Sequence, residues 1–252
     1  MSLSEADVDH GIEKTGEAAG DCPAYQSMCG WLTQPKADKR IRLADDADGW
    51  TARSYSDLAA DAHAIARRLV DEGLTPGDGA CVVLPTDFPC IAAMFAVWST
   101  GAGVTLVPPP VFGGGEEYEE HLAAILTRAT PRLVVTTSGL EALVARVMSR
   151  VQMPGAPVVI DETVLDGTED RPAGQTPAAP IDRPAIAESD IAMVQFTSGS
   201  SGTPKGVRIS WRNLAANTRY ILDSVAWHDE DTTVSWLPLY HDMGLVGGLL
   251  AT

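Results

Sequence analysis

Basic side chains are scarce in this sequence: 18 Lys and Arg stand against 34 Asp and Glu, leaving a net charge of -16. The field of such a chain repels polyanions, which argues against a nucleic-acid or anionic-membrane surface. Any phosphate it binds must be held by local geometry. Long apolar runs are missing as well. The longest, Cys90 to Trp98, falls far short of the roughly 18 to 20 residues a membrane helix needs, so no span is expected. The N-terminus has neither a basic n-region nor an apolar h-region, so it does not read as a signal peptide and a cytoplasmic protein is expected. Cysteine is confined to Cys22, Cys29, Cys81 and Cys90, with no Cys-x-x-Cys spacing. Neither a zinc site nor a disulfide framework is indicated, and buried free thiols are expected. No repeat of fixed period is found.

What is present is enough for a core. The 252 residues are 45% hydrophobic and 21% charged, which excludes wholesale disorder, while 23 Gly and 17 Pro supply many turns. Residues 1–35 read as an acidic, loosely ordered lead anchored by Tyr25, Met28 and Trp31. Residues 36–165 read as a first α/β subdomain. Ile41–Leu43 and Trp50–Arg53 flank an Asp-rich Asp-Gly turn, a hairpin signal. Ser56 is a candidate cap for a helix whose Leu58, Ala62, Ile65 and Leu69 share one face, with Gly73 as its left-handed stop. Short apolar strands at Cys81–Leu84, Val104–Val107, Leu133–Thr137 and Val158–Ile160 then alternate with helices around 90–100, 116–129 and 139–150. Glu116, Glu117, Glu119 and Glu120 suit the positive end of a helix dipole. This rhythm predicts an α/β layered fold, mostly parallel sheets flanked by helices.

Residues 166–190 read as a Pro/Ala-rich connection. Residues 191–252 read as the start of a second α/β subdomain, with strands at 191–197, 206–209 and 232–237 and a helix from Ser210 to about Ser224. The chain closes on Leu249-Leu250-Ala251-Thr252 without a helix stop signal, so a truncated piece is expected.

Between the strands at 191–197 and 206–209 lie Thr197, Ser198, Gly199, Ser200, Ser201, Gly202, Thr203, Pro204, Lys205 and Gly206. Glycines let backbone N–H groups converge on a ligand, hydroxyls add donors, and Lys205 adds a mobile positive charge. Phosphate is the natural guest. A flexible Gly/Ser linker is the competing reading, set against by the Pro-Lys-Gly exit and the apolar strands on both sides. The spacing matches neither a Walker A loop, a Gly-x-Ser-x-Gly elbow nor a Gly-x-Gly-x-x-Gly fingerprint.

The run Gln195-Phe196-Thr197-Ser198-Gly199-Ser200-Ser201-Gly202-Thr203-Pro204-Lys205-Gly206-Val207 closely resembles the signature loop of the adenylate-forming superfamily. Further on, Ser235-Trp236-Leu237-Pro238-Leu239-Tyr240-His241-Asp242-Met243-Gly244-Leu245 is similar to the second motif of its fatty acyl-AMP ligase branch. Weaker similarity extends upstream to about residue 35. The resemblance implies ATP and Mg²⁺ as cofactors and a fatty or other carboxylic acid as substrate. It implies an acyl-adenylate and pyrophosphate as first products, then acyl transfer to a carrier protein's phosphopantetheine thiol. A carboxylate is already ionised at neutral pH, so such a reaction needs positioning and charge neutralisation rather than a general base.

By the same resemblance, Thr197, Ser198, Gly199, Ser200, Ser201, Gly202, Thr203, Lys205 and Gly206 would grip the β- and γ-phosphates. His241 would stand where the acyl chain meets the adenylate, its neutral ring donating to a carboxylate oxygen. The magnesium ligands stay unassigned; Asp242 reads as a solvated loop carboxylate. Trp236, Leu237, Gly244, Gly247 and Gly248 suit a packed core as well as an acyl pocket. The superfamily's adenine and magnesium motif, its ribose-binding aspartate and its C-terminal lysine domain are not found in this sequence, so the chain alone is expected to be nearly inactive. Transfer to CoA is a second reading. A non-catalytic nucleotide-binding module is a third, should Thr252 be the natural end.

Overall fold

The computed structural model describes residues 22–36, 38–44, 49–110, 115–161, 181–182, 184–197, 204–228 and 230–251. Its centre is a six-stranded sheet in the order β6-β5-β3-β4-β7-β8. The strands are β3 (Gly79–Val83), β4 (Gly103–Leu106), β5 (Leu133–Thr136), β6 (Val158–Val159), β7 (Ile191–Thr197) and β8 (Lys205–Ser210). The first five are parallel and β8 is antiparallel to β7. A separate hairpin, β1 (Arg40–Ala44) with β2 (Trp50–Ser54), forms where the Asp-Gly turn signal lies; 45–48 themselves are outside the described residues.

The sheet is covered on both faces, as parallel sheets require. Alternate residues of β3 divide between two cores: Ala80 and Val82 join one, Cys81 and Val83 the other. The first core is built by α2 (Tyr55–Asp71) and α3 (Phe88–Ser99), the second by α4 (Glu116–Ala129) and α5 (Glu141–Arg150). All twelve residues of α3 are buried, so it is a core helix without a polar face. On α2, Leu58, Ala62, Ile65 and Leu69 are each at most 1% exposed, the stripe expected from their spacing. Its cap is Ser54 rather than Ser56. Ser54 accepts from Asp57 N at 3.0 Å while Asp57 Oδ2 accepts from Ser54 N at 3.3 Å, a reciprocal capping box. Gly73, at φ +87°, follows the helix in the left-handed conformation expected of it.

Three further expectations are corrected. Residues 22–32 are not a loose lead: α1 (Pro23–Cys29) and a 3-10 turn (Gly30–Leu32) pack into the first core. A seven-residue helix cannot stand alone in water, and this one is held by tertiary contacts. Tyr25 stacks edge-on against Trp211, Trp211 against Trp98, Trp98 against Phe95, and Phe95 against Trp31, with ring centres 4.8–5.5 Å apart. Residues 1–21, and most of the expected 166–190 connection, lie outside the described residues.

Second, residues 191 onward do not open a separate subdomain. β7 pairs with β4 through Val104 and Met193, and Trp98 Nε1 donates to Ala192 O at 2.7 Å. Helix α6 (Trp211–Val225), capped by Ser210 as expected, sends Trp211 and Leu214 into the same core. Third, 232–237 forms no strand. Val234 and Trp236 are 79% and 90% exposed, and no described strand lies alongside to pair with them. The chain ends in a π-helical segment, Met243–Leu250.

Candidate active site

The hydroxyl- and glycine-rich loop joins β7 to β8 at the end of the sheet where the parallel strands terminate. In open α/β sheets ligands bind outside these C-terminal strand ends. Register is kept to the last pair: Phe196 faces Gly206, and Thr197 faces Lys205. The hairpin therefore fixes the two ends of the loop side by side. Thr197 and Lys205 are both exposed there and Pro204 is buried. Ser198, Gly199, Ser200, Ser201, Gly202 and Thr203 lie outside the described residues. Gly206 has a packing role: a Cβ there would come within 3.1 Å of the Phe196 ring and 3.0 Å of Val194 Cγ1.

His241 is brought to the same edge by the turn 238–241, closed by His241 N donating to Pro238 O at 3.1 Å. Two side chains from distant parts of the sequence hold the turn. Gln195 Nε2, on β7, donates to Tyr240 O at 3.0 Å. Thr86 Oγ1, in the connection after β3, accepts from Leu239 N at 3.1 Å. Leu239 is buried, whereas the His241 ring is exposed. Gly244 completes the arrangement, because a Cβ there would collide with Pro238 O and lie 2.9 Å from Leu237 O. Thr86 was not legible as a site residue, since no local spacing marks a bond across 153 positions.

The His241 ring is oriented by its neighbour. Nδ1 lies 2.8 Å from Asp242 Oδ1, and the same oxygen accepts from Met243 N at 2.8 Å, while Met243 N is 3.4 Å from Nδ1. The ring is thus oriented through Nδ1, which both the Asp242 carboxylate and the Met243 N–H approach. Asp242, solvent-exposed as expected, also contacts the histidine ring and caps the π-helical segment. Among the described residues no group of three or more His, Cys, Asp or Glu could hold a metal ion.

All four cysteines are buried and none forms a disulfide. Burial pushes the Cys81 thiol up to about 12 and raises that of Cys90, with Asp87 adding to the second shift, so neither is a nucleophilic thiolate at neutral pH. No helix among the described residues is long and apolar enough to cross a membrane.

A largely parallel sheet covered by helices on both faces defines the class: a layered α/β protein. The chain belongs to the AMP-binding enzyme family, whose profile matches residues 32–252. A protein named fatty-acid–CoA ligase FadD21, from Mycobacterium tuberculosis, is 35% identical over 183 residues, covering 70% of this chain and 30% of its own. Among solved structures, a fatty acyl-adenylate ligase from L. pneumophila in complex with acyl adenylate and pyrophosphate superposes with a TM-score of 0.72. It is 25% identical and covers 90% of this chain and 37% of that one. ATP-bound MatB from Rhodopseudomonas palustris gives 0.67 at 26% identity, over 89% and 42%. The chain spans about a third of the length of the curated relatives it matches.

Proposed function

We propose that the protein carrying this chain activates a fatty acid. The acid's carboxylate oxygen attacks the α-phosphorus of ATP, the bond to the β-phosphate oxygen breaks, and acyl-adenylate and pyrophosphate result. A thiol then attacks the acyl carbon and AMP departs, leaving a thioester. In this reading Thr197, Ser198, Ser200, Ser201, Thr203 and the loop's backbone N–H groups hold the β- and γ-phosphates, and Lys205 neutralises charge as pyrophosphate leaves. His241 faces the carboxylate end of the acyl group. The work asked of these residues is positioning and charge compensation, since the nucleophile arrives ionised.

The observation that carries the reading is the bond from Gln195, two residues before the loop, to Tyr240, beside His241: it joins the two motif segments at one sheet edge. We take a carrier protein's phosphopantetheine arm as the acceptor, on the wording of Ser235–Leu245 and the likeness to a fatty acyl-adenylate ligase. CoA is the second reading, favoured by the name of FadD21. Offering each acceptor to the complete protein separates them. ATP–pyrophosphate exchange with fatty acids tests the first step. Lys205→Ala should lower kcat/KM for ATP about 10- to 100-fold, the worth of one charge-assisted hydrogen bond. Unchanged exchange kinetics in that variant would overturn the assignment.

A further inference from the structure

We propose that Thr86 and Gln195 are positioning residues that together set the orientation of the His241 side chain. This rests on the adenylation reading above and adds to it which groups, outside the histidine's own segment, determine its aim. The turn bearing His241 has little regular structure of its own: 231–236 lies in no helix or strand and is mostly exposed, and the π-helical segment starts only at Met243. Its placement must therefore come from elsewhere. Thr86 Oγ1 fixes the N–H of Leu239, and Gln195 Nε2 fixes the carbonyl of Tyr240, on the peptide that enters His241. Two bonds of different direction, on the peptide groups that enter Leu239 and leave Tyr240, restrain the turn at both ends of this dipeptide, and the next Cα–Cβ vector is that of His241.

Both anchors adjoin regular structure. Thr86 immediately precedes Asp87, whose carboxylate caps the wholly buried α3 by accepting from Cys90 N at 2.8 Å. Gln195 is half-buried in β7 and faces Val207 across the hairpin. Residues two apart on a strand share a face, so Gln195 and Thr197 project from the same side of β7. The strand that ends in the phosphate loop thereby also steadies the histidine, and the two parts of the site cannot shift independently.

The test uses the complete protein, with Thr86→Val, Gln195→Met, Thr86→Ser and His241→Ala, each measured by ATP–pyrophosphate exchange with a fatty acid. Thr86→Val and Gln195→Met should each lower kcat about five- to tenfold, the loss expected of one hydrogen bond, with KM for ATP changed less than about twofold. Thr86→Ser keeps the acceptor and should stay within about twofold of wild type. Placed on His241→Ala, Thr86→Val should cost less than about twofold more, because nothing remains to be aimed. Equal losses with and without His241, or wild-type kcat in both single variants, would overturn the proposal.

Hydrogen exchange read on peptides spanning 237–246 supplies a measurement that does not depend on turnover. Thr86→Val and Gln195→Met should speed deuterium uptake there and Thr86→Ser should not; unchanged uptake overturns the tether. A wild-type protein that exchanges no pyrophosphate with any acid, yet shows these uptake changes, refutes the adenylation reading and leaves the tether standing.

Discussion

Replacing Trp98 by Phe tests how the first core is joined to the strand that carries the loop. The indole is fully buried, its Nε1 donates to Ala192 O at 2.7 Å, and its ring meets Phe95 and Trp211 edge-on. Phenylalanine keeps part of the apolar contact but orphans a buried carbonyl, which costs about 1 to 3 kcal/mol. The space left by the lost ring adds about 1 to 2 kcal/mol, since a packed interior relaxes only partly around a void. The sum, about 2 to 5 kcal/mol, is a large fraction of the roughly 5 to 15 kcal/mol that holds a typical domain. Equilibrium urea unfolding followed by far-ultraviolet circular dichroism reads this as a lower midpoint at unchanged slope. Trp236→Phe is the internal control: that side chain is 90% exposed, and its loss should stay within about 0.5 kcal/mol. Equal effects of the two substitutions would refute the view that the Trp98 hydrogen bond and packing join β7 to this core.

Two further perturbations follow from the same reasoning. Ser54→Ala should cost about 1 kcal/mol and Ser56→Ala about nothing, because only Ser54 closes the capping box with Asp57; thermal melting of the two variants decides it. His63 is buried against Leu32 O, and its pKa is lowered below the ordinary 6.5, first by desolvation and further by Arg67, with the Leu32 hydrogen bond opposing. The unfolded chain therefore binds the proton more readily. The neutral ring's contribution is complete above about pH 6.5 and is lost as pH falls through the lower folded value. Urea midpoints at pH 7.5 and 5.5 should fall further for wild type than for His63→Gln, and an equal fall would contradict the assignment.

The strands of the parallel sheet were legible because each is a short, mostly apolar run between glycine or proline punctuation, and the central ones are buried on both faces. β7 was read residue for residue, Ile191–Thr197. The helix starts were legible where a hydroxyl meets a partner three positions on, as at Ser210 with Asn213. Ser56 misled because a capping serine is recognised by that partner: Ser54 has Asp57, whereas Ser56 has Ala59. Segment 232–237 misled for a different reason. Alternation marks residues suited to a pleated sheet, but a strand exists only beside another strand, and pairing is not written in a segment's own composition. The short helix at Pro23–Cys29 was obscured likewise, since its stability comes from Trp211 and the sheet's core far along the chain. At the site, residue types were readable from the loop, but the bonds from Thr86 and Gln195 cross 153 and 45 positions and leave no local signature.

A chain with an acid excess of 16 charges and a proposed polyanionic substrate would seem mismatched, and the placement of the charges resolves this. At physiological ionic strength, exposed charges are largely screened beyond about 8 Å, so a phosphate chain at the loop responds chiefly to groups within that range. Four of the acids are paired locally with arginines. Glu119 pairs with Arg146 at 2.7 Å and Glu120 with Arg150 at 3.8 Å, between α4 and α5. Glu188 pairs with Arg212, and Asp223 with Arg219 on α6. Such exposed pairs contribute little to stability, about 0 to 1 kcal/mol each. Their effect is to shorten the reach of the negative field. What remains at long range still repels extended polyanions, whose many phosphates must approach a broad surface. A single triphosphate asks for one small site, and the β7–β8 hairpin sets Lys205 opposite Thr197 where the two strands end. The composition that excludes a nucleic-acid surface is therefore compatible with a nucleotide held by one loop.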